Sequence, residues 1–348
     1  MKYKGIFKTF DNSKIRTYPL NKRKSKVSLE FAVDCKHLAK QKITHPNKDI
    51  EKIALGVIKA RKQNKPVIIM SGAHLVKNGL SPIIVDLMEK RLITLFATNV
   101  ASSIHSFELS LIGQSSENVA KGLPKGEFGM AFETGMYLNQ TLIEGLKAGI
   151  GFGESMGRLY GDKKFRKKVI DNALKNEKNT DNYYKPYGAF RFADSCIFAK
   201  AFELKIPVTV HASLGTDIID QHRNFNGRAK GETSGKDFLI FANEITKLTH
   251  GGVIINIGSA VMGPEVLLKA VSMAANTGKV PNKIITADFD LRPFGNNAAD
   301  EKKYPYYFRD QKSIVNRIPE SYHGTGYYIQ GNQKETVPSF YKYIISHF

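Results

Sequence analysis

The sequence predicts an α/β fold, a doubly wound and mostly parallel sheet with a basic N-terminal extension, and three observations carry that expectation. Short apolar runs (Val67 to Met70, Ile93 to Ala97, Ile206 to Val210, Gly252 to Ile257 and Lys283 to Ala287) have the continuous hydrophobicity of strands buried on both faces. Segments with helical spacing alternate with them, as in a sheet with helices on both sides. Polar residues gather directly after each run, where such sheets bind ligands.

Residues 1–47 read as a basic arm or cap, in which VSLEFAV has the composition of a strand, and residues 48–348 as one α/β domain. Ile50 to Arg61 has helical spacing, with Ile53, Leu55, Val57 and Ile58 supplying the apolar face. Between the first two strands a helix carries Ile83 and Leu87; Ser81 is placed to cap it and Pro82 suits its first position, where no donor is needed. Gly126 to Gly161 has helical spacing interrupted by glycines, and Phe165 to Tyr187 is polar enough for a surface excursion. Helices are then expected at Ala189 to Leu204, Lys236 to Thr249 and Pro264 to Ala275.

The formal charge is +20, and eighteen Lys and Arg stand against five Asp and Glu before Pro66. The lysines are strewn singly, and arginines and aromatics do not interleave as a base-stacking groove requires, so nucleic-acid binding is not expected. No window approaches the roughly 20 uncharged apolar residues of a membrane span, and the N-terminus lacks a signal-peptide core. A cytoplasmic protein is expected. Cys35 and Cys196 stand apart without metal or redox spacing and read as free thiols.

The strand ends supply the chemistry: Ser71, Gly72 and His74; Thr98 and Asn99; His211, Ser213 and Asp217; Gly258 and Ser259; Asp288 and Asp290. SGAHLVKNG and the NIGSAVMGP loop suit an anion or dinucleotide, because glycines there precede helix starts with free N–H groups. GIGFGESMG follows no strand, so close helix packing explains its glycines better than a nucleotide loop does. His74, His105, His211 and His222, with Glu108 and Asp217, keep a metal-dependent hydrolase open as an alternative, although no ligand spacing assigns a metal residue. A polyanion-binding protein without enzymatic activity, resting on the N-terminal lysines, is the other alternative.

Four blocks in the same order and at similar spacing carry a resemblance to deoxyhypusine synthase over Lys65 to Phe348: GAHLVKNGLSPIIVDLMEKRLITLFATNVASSIHSFE, KIPVTVHASLGTDII, THGGVIINIGSAVMGPEV and IITADFD. The resemblance implies a Rossmann-like fold, NAD, a homotetramer, and transfer of an aminobutyl group from spermidine to a protein lysine, or related chemistry on another small amine. Carried over residue by residue, it implies a cofactor site of Gly72, Ala73, His74, Thr98, Asn99, His211, Gly258, Ser259, Thr286 and Ala287. Asp217, Glu265 and Asp290 would hold the ammonium of the amine, with Glu108 and Asp288 also on the substrate. His105 would shuttle the proton. Arg317 stands where the family has its imine-forming lysine.

Overall fold

The structure, a computed structural model, describes residues 3–44, 46–295 and 302–348. Six parallel strands form the main sheet: β1 (Val67–Ser71), β2 (Leu95–Asn99), β3 (Val208–His211), β4 (Gly252–Ile257), β5 (Ile284–Asp290) and β6 (Thr325–Gln330). Their spatial order is β3-β2-β1-β4-β5-β6, so the chain reverses direction across the sheet between β1 and β4. That is the doubly wound Rossmann-like arrangement, in which the crevice at the carboxyl ends of the two central strands is the natural ligand site.

Among the described residues, ten helices of eight or more residues pack on the sheet or on one another: α1 (Lys48–Lys62), α2 (Ser81–Glu89), α3 (Val100–Ile112), α4 (Leu138–Ala148), α5 (Phe152–Gly161), α6 (Lys163–Leu174), α7 (Ile197–Leu204), α8 (Gly227–Ile245), α9 (Met262–Asn276) and α10 (Gln333–His347). The two-residue alternation of the strands separates the core into two layers. Val67, Ile69, Phe96, Val210 and Ile255 pack with α1, α2 and α10, while Ile68, Met70, Leu95, Ala97 and Ile254 pack with Phe241 and Ile245 of α8 and Leu267 and Val271 of α9. Each of these side chains is almost wholly buried, and such burial stabilises by about 1.5–3 kcal/mol apiece for all but the small Ala97.

Several elements differ from the expectation, each for a local reason. Ser81 lies inside α2 and makes no capping bond; Leu80 precedes the helix. The polar stretch after β2 is not a loop: Asn99 accepts the Ser102 N–H at 3.0 Å and starts α3 at once. Helix α8 begins at Gly227, before the apolar spacing that pointed to Lys236, because Asn226 caps it through the Ala229 N–H at 2.9 Å. Leu55 is exposed on the outer side of α1. The first part of the supposed excursion, residues 165–174, belongs to α6, which buries Val169 and Ile170; the rest carries only a short 3-10 turn at Thr180–Asn182. Strand β6 and helix α10 lie beyond the expected elements; β6 is an edge strand with one buried residue, Ile329, and so gives little hydrophobic signal.

The N-terminal segment is stitched to the domain. Tyr18 bridges Ala131, Leu20 is fully buried, Val27–Ser28 pair antiparallel with Gln114–Ser115, and the Val33 N–H meets the Gly79 carbonyl at 2.9 Å. Met1, Lys2 and His45 of the expected arm lie outside the described residues. Among the described residues no helix is long and apolar enough to cross a membrane.

Candidate functional site

Two spaces open at the carboxyl edge of the sheet. The first follows the switch point. The Gly72 N–H meets the Ile257 carbonyl at 3.1 Å, which joins the loops after β1 and β4. A Cβ on Gly72 would stand 2.4 Å from the Gly258 carbonyl oxygen, so only glycine lets the loops close. Gly258 itself turns at φ 60. Beside this junction a small cleft of about 210 Å³ touches Ser71, Thr98, Asn99, His211, Ser259 and Gly263.

The cleft adjoins a groove between α8 and α9 that encloses about 990 Å³, open solvent included, and shares His211 and Met262 with it. Gly231 and Gly235 form part of one wall, and where each would carry a Cβ no other atom lies within 4 Å. Ser71 Oγ, on the cleft, is a buried oxygen without a hydrogen-bond partner among the described residues; Asn256 Oδ1 is likewise unpartnered but lies behind Gly263 and borders neither space. Buried polar atoms are seldom left so, and the Ser71 hydroxyl, which can both donate and accept, marks a place for a ligand or water. The other groups are engaged within the protein. Thr98 Oγ1 donates to the Ser71 carbonyl at 2.9 Å, Asn99 caps α3, and Ser259 Oγ accepts the Gly263 N–H at 3.0 Å at the start of α9. The His211 ring lies edge-on to Phe241, and burial pushes its pKa down to about 4, so it stands neutral.

The second space is a cavity of about 650 Å³ touched by Arg23, Lys77, His105, Glu108, Glu117 and Asp217. Glu108 lies at its buried end and accepts four bonds of 2.7 Å: two from the Arg23 guanidinium, one from Ser115 Oγ and one from Thr134 Oγ1. Thr134 belongs to a π-helical turn, Glu133–Tyr137, that aims it inward. Burial opposes charge on Glu108, yet Arg23, Ser115 and Thr134 outweigh it and hold the carboxyl below its ordinary range. Ser115 Oγ also lies 2.7 Å from His105 Nδ1. Since the Ser115 proton goes to the carboxylate, Oγ accepts from His105, which places the imidazole proton on Nδ1 and leaves a lone pair on Nε2. Burial lowers the His105 pKa to about 4, with Glu108 opposing and Lys77 and Arg23 assisting, so the ring is neutral near pH 7. Lys77 is half-buried and makes no ion pair among the described residues.

With this geometry in place, comparison with known proteins adds the following. No family model matches the chain, and no curated protein matches it. Solved structures do. AgrE in complex with ornithine and NAD+ matches at TM-score 0.46 and 12% identity, over 88% of this chain and 34% of that one. ArgZ, an arginine dihydrolase from the ornithine-ammonia cycle in cyanobacteria, matches at TM-score 0.42 and 11% identity over 86% and 31%. A conserved putative LOR/SDH protein from Methanococcus maripaludis S2 matches at TM-score 0.42 and 11% identity over 94% and 74%. The chain thus spans about a third of the length of AgrE and ArgZ.

None of these structures is a deoxyhypusine synthase, and the resemblance to that family is corrected, with spermidine as donor and the protein lysine as acceptor. A local observation agrees. Arg317 is exposed, its guanidinium 5.5 Å from the Tyr306 ring, and a permanently protonated group there forms no imine.

The remaining sequence candidates are dispersed. Asp217 borders the cavity but is tied to the wholly buried Lys230 at 2.8 Å, which Asp220 also holds at 2.7 Å. Glu265 sits on the rim of the groove, paired with Lys269 and Arg309. Asp288 is fully buried and accepts from Asn256 Nδ2 at 2.8 Å; burial pushes its pKa well up, and Asp310 adds to the effect. Asp290 is clamped by Arg292, which also reaches Asp310. Thr286 lies within β5, bonded to the Ile314 carbonyl, and Ala287 is buried beside it; neither borders the groove. His74 is exposed and Ala73 half-buried in the turn after β1. The histidines are not gathered for a metal: among the described residues no group of three or more His, Cys, Asp or Glu could hold one. Arg23, Ser115, Thr134 and Asn256 were not singled out by the sequence. Arg23 meets a partner 85 positions away, and no local pattern announces such a pair.

Proposed function

We propose that the protein is an NAD-binding enzyme that acts on a small zwitterionic molecule of the amino acid class. The dinucleotide would lie along the groove between α8 and α9 and enter the switch point, and the substrate would occupy the neighbouring cavity. The observation that carries this reading is His105: neutral, with Nε2 unpartnered among the described residues, in a cavity that also holds the unpaired Lys77 and the carboxyl groups of Glu108, Glu117 and Asp217.

The groove and the cleft beside it fit a dinucleotide through the open face of Gly231 and Gly235 and through the unpartnered Ser71 Oγ. Gly72, Ala73, His74, Gly258, Ser259 and His211 would surround it, with Thr98 and Asn99 beneath. Bound there, NAD supplies a hydride acceptor. The chain's own groups do the rest. Lys77 would hold a substrate carboxylate, Glu117 and Asp217 would face its ammonium, and His105 Nε2 would take a proton from the nitrogen or a hydroxyl as hydride leaves the adjacent carbon. AgrE, named above with ornithine and NAD+, has ligands of the class proposed here, but the reading rests on the groove and the cavity.

Calorimetric titration with NAD, followed by incubation with a panel of L-amino acids while NADH absorbance is recorded, tests this. Saturable binding and amino-acid-dependent NADH are expected. No heat at millimolar NAD would sink the proposal.

A further inference from the structure

The N-terminal segment supplies the buried counter-ion of the cavity, and we infer that Arg23 is a positioning residue that fixes the proton of His105 on Nδ1 through Glu108 and Ser115. The chain of contacts is short. The Arg23 guanidinium, 5% exposed, grips both oxygens of Glu108, itself 1% exposed, at 2.7 Å. Glu108 Oε2 takes the hydroxyl proton of Ser115, and Ser115 Oγ therefore faces His105 Nδ1 as an acceptor at 2.7 Å. A carboxylate this deeply buried stays ionised only beside a fixed cation. Deprive it of Arg23 and it takes up a proton, after which Ser115 no longer has to donate to it and is free to donate to Nδ1 instead. The imidazole proton then moves to Nε2, the atom that must accept.

The segment is placed for this by its own bonds. The Leu20 N–H donates to Glu133 at 2.8 Å, the Arg23 N–H closes a turn on the Leu20 carbonyl at 3.1 Å, and the Lys26 N–H meets the Ser116 carbonyl at 2.8 Å. Arg23 stands between these anchors, so the guanidinium enters along a braced path. Part of the basic N-terminal charge is thus neutralised inside the protein, and the segment forms a wall of the cavity.

The catalytic meaning of this inference rests on the cavity reading proposed above, but its physical content does not, and the test separates the two. In ¹⁵N-histidine-labelled full-length protein, long-range ¹H–¹⁵N correlations report the tautomer of each ring, and His105→Gln assigns the signal. Wild type and Arg23→Lys are expected to show Nδ1–H at His105. Arg23→Met is expected to lose it in favour of Nε2–H. Should Arg23→Met not fold, Glu108→Gln is measured in its place, with the same loss of a pure Nδ1–H signal expected. A folded Arg23→Met or Glu108→Gln that keeps Nδ1–H overturns the inference. Tautomer exchange in a protein that neither binds NAD nor oxidises an amino acid would leave the inference standing while removing the function.

Discussion

Asp237 reaches from α8 to the edge strand β3 and accepts the Val210 N–H at 2.7 Å, with the Gly153 N–H on the same oxygen at 2.8 Å. A helical carboxyl thus takes a donor that the sheet leaves unpaired at its edge and ties α5 to the strand. Burial is the largest influence on it and pushes its pKa up to about 7, against the bonds from Val210 and Gly153. The native state therefore holds a proton on Asp237 between its unfolded value near 4 and about 7, where the unfolded chain has released it. Its contribution is present at low pH and is lost as pH rises through that window. Asp237→Asn keeps an acceptor for both N–H groups and removes the titration. Denaturant unfolding of the two proteins from pH 4 to 8 should show the variant gaining on wild type by up to about 4 kcal/mol as pH rises. Parallel curves would mean that the carboxyl is ionised throughout.

Gly153 makes the same edge possible from the other side. A Cβ there would lie 1.8 Å from the Val208 carbonyl oxygen, and backbone cannot step aside as a side chain can. Gly153→Ala should cost about 3 kcal/mol or more, seen as a lower denaturation midpoint with an unchanged slope. Gly149 has open space around it, but its φ of 71 makes it an unsuitable control; Gly231 is the better one.

Gly231 and Gly235 lead to an expectation of opposite sign for stability. Both lie inside α8, where glycine costs about 1 kcal/mol relative to alanine, and neither has a neighbour to meet a new Cβ. Gly231→Ala and Gly235→Ala should each raise stability by up to about 1 kcal/mol. Gly235→Leu should fold as well as wild type and yet weaken NAD binding by more than about tenfold, because its side chain would enter the groove. Unaltered NAD affinity in a folded Gly235→Leu would place the dinucleotide elsewhere.

The strands were legible because β1 and β4 are buried on both faces, and continuous runs such as VIIM and VIINI have no other economical use. Gly72, His211, Gly258 and Ser259 were legible as strand-end residues for the same reason, and the structure sets them along the carboxyl edge of the sheet. The edge escaped notice. β6 buries only Ile329 fully and holds its other residues partly or wholly exposed, and α8 opens on GRAKGETSG, whose glycines obscure a helix that Asn226 announces. The cavity was half visible: His105 and Glu108 stand three positions apart on one face of α3. Their partners Arg23, Ser115 and Thr134 converge from three separate segments, and such convergence is a tertiary fact without a local pattern. Arg317 and Thr286 show the converse, since matching motif positions placed them in a site that side-chain geometry does not give them.

Lys77 gives the most direct test of what the cavity binds. It follows the first strand end by one helical turn, borders the cavity with His105, and makes no ion pair among the described residues, whereas Asp217 and Glu108 beside it are already paired. A half-buried ammonium that is not needed to balance a neighbour can meet a substrate carboxylate, and a charge-assisted bond of that kind contributes about 1.5–3 kcal/mol. Lys77→Ala should therefore raise KM for amino acid substrates by about 10- to 100-fold, with kcat changed little and the melting temperature unchanged, because no structural pair is broken. Lys77→Arg keeps the charge and should recover most of the affinity. If kcat falls while KM holds, the lysine acts on the reacting atoms instead; if the decarboxylated amine is used as readily as the amino acid, the cavity does not read a carboxylate at all.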